Sequence, residues 1–266
     1  MYPSGIEALK GISLEIHDKE FVAIMGENGA GKSTLIKHLN GLLKPSKGEV
    51  YIDQVNTRKA TVAELSRNIG LVFQNPDHQL FSETVEEEIA FGLRNFGFKE
   101  DSIFESVERV LKFLDLERYR KTSPFMLSGG ERKRVALATV LAWSPKFIIV
   151  DEPTIGQDYG QKEKLRRYIM QLNEQGKTVI IVTHDVEFVA DCSPRIIVLS
   201  KGKIIADGAA REILTDREML LRASIIPPQI TQIMHELSDL DLQIDIIDIH
   251  EAEKILKEVI MKGKMH

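Results

Sequence analysis

The stretch Phe21-Val22-Ala23-Ile24-Met25-Gly26-Glu27-Asn28-Gly29-Ala30-Gly31-Lys32-Ser33-Thr34 decides the fold. It opens with a continuous apolar run of the length and β-branched character of a strand buried on both faces. A turn with Gly26, Gly29 and Gly31 follows, and from Lys32 the apolar spacing predicts a helix as far as Leu43. This is G-x-x-x-x-G-K-[ST] in the strand-turn-helix setting that gives the motif its meaning. Glycines let backbone N–H groups converge on phosphate oxygens, and the helix N-terminus adds positive partial charge. Lys32 places a cation against terminal phosphates, and the Ser33 hydroxyl can ligate Mg²⁺. The residues expected to cradle a nucleotide are Gly26, Glu27, Asn28, Gly29, Ala30, Gly31, Lys32, Ser33 and Thr34.

Two further apolar runs, Phe147 to Val150 and Thr178 to Val182, read as buried strands separated from the first by helical segments. This pattern predicts an α/β fold, a P-loop nucleotide-binding core with a mostly parallel sheet covered on both faces. The first of these strands ends in Asp151-Glu152, two acids where ligands bind in such sheets. Asp151 would hold the hydration shell of Mg²⁺, and Glu152 can orient or deprotonate an attacking water. His184 follows the second strand and could contact a terminal phosphate or that water. Gln74 ends a strand-like Gly70-Leu71-Val72-Phe73 and could reach the metal or the water through its amide oxygen. The expected catalytic set is Glu152, His184, Gln74 and Lys32, and the expected metal set is Ser33, Gln74 and Asp151.

The bulk properties are those of a globular chain: 266 residues, 43% hydrophobic, 28% charged, net charge -5. Length allows one large domain or one domain with an appendage. The negative balance argues against a nucleic-acid partner. A single cysteine, Cys192, permits no internal disulfide and points to a reducing compartment. No signal peptide is visible, and no apolar run approaches the roughly 20 residues that span a bilayer, so a membrane role would come through a partner. Between Thr84 and Leu116 the pattern turns helical, with Ile103, Val107, Val110, Leu111 and Leu114 on one face. After about Thr215 a third section follows, broken by Pro227-Pro228. It closes on a helix whose apolar stripe is Ala252, Ile255, Leu256, Val259 and Ile260. Arg195 to Leu199 and Lys203 to Ala206 read as a hairpin.

Many nucleotide-binding proteins share a phosphate loop, an acidic strand end and a histidine. Leu127-Ser128-Gly129-Gly130-Glu131-Arg132-Lys133-Arg134, ahead of a helix pattern, narrows the class. Serine and two glycines at a helix N-terminus make a second anion-binding surface, which two chains placed head to tail would use to complete each other's sites. This stretch resembles the signature of ATP-binding cassette (ABC) ATPases. The family's other motifs stand in order around it: phosphate loop at Gly26, Q-loop at Gln74, acids at Asp151 and Glu152, D-loop near Asp158, switch at His184. The similarity runs from about Tyr2 to Gly208.

The resemblance implies an ABC ATPase fold with a helical subdomain at about 82–142 inside a domain spanning 1–219, and a small C-terminal section at 220–266. It implies ATP and Mg²⁺ as cofactors and an ATP-sandwich dimer with a paralogue or a second copy of the chain. In that dimer Ser128, Gly129, Gly130 and Glu131 would meet the nucleotide held by the opposite subunit, and Asp158 would approach it. Glu131 stands where the family usually has glutamine, which implies altered contacts rather than loss of function. Gln157 replaces a more usual apolar residue. Tyr2 fits the aromatic that stacks on adenine. The strand of about ten residues that usually precedes it is absent, so either the given start is internal or the strand is missing.

Phe73-Gln74-Asn75-Pro76-Asp77-His78-Gln79-Leu80-Phe81, with Thr84 to Gly92, resembles more narrowly the ATPase component of energy-coupling-factor (ECF) transporters, importers of vitamins and transition-metal ions. The resemblance implies a membrane scaffold subunit docking near Asn75 to Val85 and, through it, a membrane solute-binding subunit. It implies a peripheral position on the cytoplasmic face of the membrane, and a C-terminal section that helps hold the ATPase pair together. A conventional ABC importer subunit would share every catalytic residue and differ only at the Q-loop stretch and C-terminus. A soluble DNA- or ribosome-associated cassette would carry coiled insertions or a second cassette, and neither is present.

Overall fold

The computed structural model describes residues 7–240 and 242–263. Eight strands are assigned among them: β1 (Phe21–Met25), β2 (Tyr51–Ile52), β3 (Val55–Asn56), β4 (Ile69–Val72), β5 (Phe147–Asp151), β6 (Thr178–Val182), β7 (Arg195–Ser200) and β8 (Lys203–Ala209). The main sheet has the order β4-β5-β6-β1-β7-β8, and β2 pairs with β3 in a small separate ribbon. Within the main sheet only β7 and β8 are antiparallel. They form the hairpin read from the sequence, with β8 running on to Ala209.

The apolar runs explain this arrangement. In β1, Ala23 and Met25 join one hydrophobic cluster while Val22 and Ile24 join another. Ile148 and Val150 of β5 likewise face the first, and Ile149 the second. Successive side chains leave opposite faces of a strand, so a run with no polar alternation must be covered on both sides. Each large side chain buried here contributes roughly 1.5–3 kcal/mol. The sheet interior therefore stabilises the positions of the polar residues at its edge.

The helices are α1 (Lys32–Leu39), α2 (Val62–Ser66), α3 (Val85–Asn95), α4 (Glu100–Phe113), α5 (Gly129–Leu141), α6 (Tyr159–Glu174), α7 (Val186–Cys192), α8 (Ala210–Thr215), α9 (Arg217–Arg222), α10 (Gln229–Glu236) and α11 (Ile249–Gly263). Residues from α3 through α9 cover the first face of the sheet. On the other face lie Leu35 and Ile36 of α1, with Leu9, Ile12, Leu14 and Ile16 from a stretch without assigned helix or strand. The predicted stripe of Ile103, Val107, Val110, Leu111 and Leu114 is buried throughout. That stripe belongs to the same continuous cluster as the sheet.

The structure departs from the sequence reading at several places. Helix α1 ends at Leu39 rather than Leu43, with Asn40 as its C-cap and Gly41 at φ 75°. A left-handed glycine after the last turn is the usual exit from a helix. Strand β4 closes at Val72, so Gln74 sits in the loop beyond it. Helix α9 straddles the expected boundary at 219/220, and its Leu220, with Ala223 and Ile225 after it, belongs to the main cluster. A separate small cluster of Met234, Ile246 and Ala252 forms only past Pro227-Pro228. In α11, Ile255 and Leu256 pack partly against it, but Ile260 is exposed. No helix among the described residues is long and apolar enough to cross a membrane.

Candidate active site

Strand register brings the candidate residues to one edge. Val72, Val150, Ile181 and Ala23 stand abreast across β4, β5, β6 and β1. One step on, Asp151, Val182 and Ile24 form the next row. All four strands run in parallel, so the residues after them emerge together: Gln74, Glu152, His184 and Gly26. This is the carboxyl edge of the sheet. First-in-sequence β1 lies between β6 and β7 there, a change in strand order that leaves a crevice for ligands.

The phosphate loop is shaped by close approach. Gly31 has φ 106°, and a Cβ on it would lie 2.8 Å from the Ala8 carbonyl oxygen and 2.9 Å from Leu9 Cδ2. At Gly26, with φ 150°, a Cβ would collide with the Leu199 carbonyl at the end of β7. Neither position admits a side chain. The Lys32 ammonium donates to the carbonyl oxygens of Gly26 (2.7 Å) and Glu27 (3.0 Å), which draws the loop around it. Burial holds this lysine below the usual ammonium range, while Glu152, Asp151 and Glu27 pull it back up. Asn28 and Gly29 are exposed at the tip, Ala30 is buried beneath it, and Ser33 is exposed at the start of α1.

Opposite the loop, Asp151 and Glu152 divide in direction because of one unusual backbone angle. Glu152 adopts φ 45°, a left-handed conformation that costs a non-glycine residue roughly 1–3 kcal/mol. Its N–H donates to the Val182 carbonyl (2.7 Å), and its carboxylate is buried with both oxygens 3.0 Å from His184 Nδ1. Asp151 is left on the sheet edge. Burial, then the neighbouring Glu152 charge, pushes its carboxyl up to about 6, against the opposing pull of Lys32 and Lys37. Gln74, Asp151 and Gln157 line one cavity with Lys133 and Arg134. Ser33, Asp151 and Gln74 offer oxygen donors only. Such a set fits a hard cation that completes its shell with waters and phosphate oxygens.

The signature residues open a different helix. Ser128 is the N-cap of α5 and forms a capping box with Glu131: the Ser128 N–H (2.9 Å) and hydroxyl (2.7 Å) donate to the Glu131 carboxylate, and Glu131 N–H returns to Ser128 Oγ. The Tyr119 hydroxyl also donates to Glu131. These bonds, Tyr119's first, hold the Glu131 carboxyl down at about 2. A serine three residues ahead of a glutamate is a readable cap, and here it coincides with the signature stretch. A Cβ on Gly130 would meet the Gln161 side chain at 3.2 Å, so Gly130 lies where α5 approaches α6, while Gly129 faces open space. Asp158 caps α6 through Gln161 N–H (2.8 Å). Tyr2 lies outside the described residues.

Several residues to which the sequence assigns no individual role tie the site together. Gln79 donates to the Ala136 carbonyl (2.9 Å) and Thr139 Oγ1 (2.7 Å), which pins the loop after β4 to α5. Asp77 pairs with Arg132 at 3.3 Å. Glu88 is buried and accepts the N–H groups of Phe81 (2.7 Å) and Ser82 (2.6 Å), which fixes an exposed Phe81 edge-on to Phe91. Ser224 donates to Glu27 (3.2 Å), and Gln229 N–H donates to Glu187 (2.8 Å). The start of the C-terminal section thus touches both the phosphate loop and the helix after His184.

Comparison with known proteins gives these features a context. Residues 9–155 match the ABC transporter family. The energy-coupling factor transporter ATP-binding protein EcfA of Methanothermobacter thermautotrophicus is 42% identical over 92% of this chain and 79% of its own length. EcfA2 of Clostridium perfringens is 42% identical over 95% of this chain and 91% of its own. A further relative, a putative ABC transporter ATP-binding protein of Caldanaerobacter subterraneus, is 43% identical, but this chain spans only 43% of its length. Among solved structures, CbiO1 of Clostridium perfringens, part of the ABC transporter complex CbiONQ, superposes with a TM-score of 0.77 at 35% identity. That match covers 90% of this chain and 95% of CbiO1. The dimeric cassette MJ0796 bound to ADP and Pi gives a TM-score of 0.71 at 36% identity, covering 79% of this chain and 94% of that one.

Proposed function

The chain belongs to the ABC transporter family as an ATP-hydrolysing cassette, and from that membership we propose that it energises an ECF-type importer of a vitamin or transition-metal ion. One observation carries the catalytic part of the reading. Glu152, on its left-handed turn, faces His184 at 3.0 Å at the same sheet edge as the phosphate loop and Lys32. The EcfA relatives and the stretch from Phe73 to Gly92 support the narrower transporter class.

The reaction is ATP + H₂O → ADP + phosphate. Loop amides from Gly26 to Thr34 and the Lys32 ammonium bind the phosphates and offset the charge that builds on the leaving oxygens. Glu152 takes a proton from the attacking water, while His184 and Gln74 orient it. Ser33, Asp151 and Gln74 would hold Mg²⁺, which when bound neutralises charge between phosphate oxygens. In the head-to-tail dimer, with a paralogue or a second copy, Ser128, Gly129, Gly130 and Glu131 of each subunit complete the other's nucleotide site, and Asp158 lies near it. A membrane scaffold docks along Asn75 to Val85, where Phe81 is exposed, and holds the cassette at the cytoplasmic face beside a solute-binding membrane subunit. The section after Pro228 supports subunit association.

The test is purification of the tagged chain from native membranes in detergent, with mass-spectrometric identification of its companions. Recovery of a second cassette, a membrane scaffold and a small membrane solute-binding protein is the expected result. A conventional permease pair with a soluble binding protein would overturn the ECF reading and leave the ATPase standing.

A further inference from the structure

Lys133 has no part in the chemistry described above, yet three main-chain oxygens of the catalytic turn converge on it. Its ammonium donates to the carbonyls of Glu152 (3.4 Å), Pro153 (3.2 Å) and Ile155 (2.5 Å). These belong to the turn where the chain leaves β5, bends through the left-handed Glu152 and passes Gly156 at φ 70° toward α6. A turn that gathers carbonyls inward concentrates negative partial charge and leaves acceptors short of donors. An ammonium has three donor protons and no acceptor, which suits three such oxygens. The Glu152 N–H is already bound to Val182 of β6, so the residue is held from both ends: its nitrogen by the sheet, its carbonyl by Lys133. The lysine is half-buried along the wall of the cavity that also presents Gln74, Asp151 and Gln157.

We propose that Lys133 is a positioning residue for hydrolysis: it keeps Glu152 in the strained backbone conformation that aims its carboxylate at the water-binding position beside His184. The role rests on Glu152 acting as the base. Strained conformations persist only where their surroundings over-determine them, and Lys133 supplies the fixed point on the side away from the sheet. Burial holds the ammonium below the usual lysine range, and the Glu152 charge draws it back. The attraction to Glu152 therefore opposes the tendency of burial to discharge the group that supports it.

Lys133 sits on α5 just past Ser128, Gly129 and Gly130, the surface that meets the partner's nucleotide in the sandwich.

The experiment compares full-length Lys133→Met, Lys133→Arg and Glu152→Gln with the parent protein. The readouts are single-turnover ATP hydrolysis, binding of a fluorescent ATP analogue, and amide hydrogen exchange across residues 152–156. Lys133→Met is expected to slow hydrolysis at least tenfold, keep analogue binding within twofold, and speed exchange in the catalytic turn. Lys133→Arg, which still offers several donors to the carbonyls, should restore hydrolysis to within about threefold of the parent. The proposal is overturned if Lys133→Met hydrolyses ATP within twofold of the parent. It is also overturned if hydrolysis and analogue binding fall in parallel, or if Lys133→Arg recovers nothing. If Glu152→Gln abolishes hydrolysis while Lys133→Met does not, the base stands and the lysine's role falls; if Glu152→Gln turns over normally, both fall.

Discussion

His184 Nδ1 lies 3.0 Å from both carboxylate oxygens of Glu152. The carboxylate is buried while the imidazole is 57% exposed, so the pair joins a sheltered base to a group that opens onto solvent. A base held this way keeps its orientation before any water arrives, and the histidine is free to turn toward a phosphate.

Replacing Glu152 by Gln preserves the shape of the side chain and removes its proton acceptor. Phosphate release should drop by roughly 10²–10⁴-fold, the range usual for a general base. ATP binding should persist, and the variant should accumulate as an ATP-bound dimer, visible by size-exclusion chromatography with ATP and its loss on dilution into ADP. Turnover near the parent rate would remove Glu152 from the reaction.

Gly31→Ala tests the phosphate loop sterically. Its φ of 106° and the Ala8 carbonyl 2.8 Å from the new Cβ make strain unavoidable. A loss of about 1–3 kcal/mol in unfolding free energy is expected, together with loss of nucleotide binding measured by calorimetry. A variant that binds ATP normally would mean that the loop opens more readily than its contacts imply.

Glu131 gives a pH-dependent prediction. Its folded-state value of about 2 lies below the ordinary 4.5, chiefly because Tyr119 and then Ser128 donate to it. A depressed carboxylate contributes stability that is complete above the unfolded value and is lost as pH falls through the folded one. The stability gap between the parent and Glu131→Gln should therefore narrow from about pH 5 downward toward pH 2. Urea unfolding of both proteins at stepped pH measures it, and a gap that stays constant would show that the capping box is not held by charge.

Phe81 is 58% exposed and stands edge-on to Phe91 at 4.7 Å. An exposed aromatic locked in place by Glu88 is the kind of residue that anchors an interface. Phe81→Ala should leave hydrolysis by the isolated cassette within about twofold and cut transport-coupled hydrolysis in the assembled complex roughly tenfold. Equal losses in both assays would locate its importance inside the cassette.

Much of this could be read from the chain because the informative residues announce themselves. Short β-branched apolar runs without alternation, bounded by turn residues, read as strands covered on both faces, and the polar residues immediately after them then lie at a sheet edge. Thus β1 with its loop, Asp151-Glu152 and His184 were legible as one assembly. Lys133 was not, since its partners are carbonyl oxygens, which every residue possesses and none advertises. The left-handed backbone of Glu152 was equally hidden, because nothing in the letter E signals a turn. Among Glu86, Glu87 and Glu88 the sequence shows three like charges. Helix phase separates them: Glu88 falls on the buried side with Val85 and Ile89, while Glu87 is exposed and Glu86 pairs with Lys121. The end of α1 was misread because apolar Leu42 and Leu43 continue the pattern past Asn40-Gly41, where backbone geometry rather than hydrophobicity stops the helix.

Strand order has a consequence for how the protein comes into being. Strand β1 carries the phosphate loop and is made early, but both its sheet neighbours, β6 and β7, are made late. Nearly all of the intervening chain must leave the ribosome before β1 can be flanked, and pairings so distant in sequence are slow to close. The loop that binds nucleotide and the acid that spends it are therefore completed by the same late event. A half-synthesised chain has no assembled site with which to consume ATP.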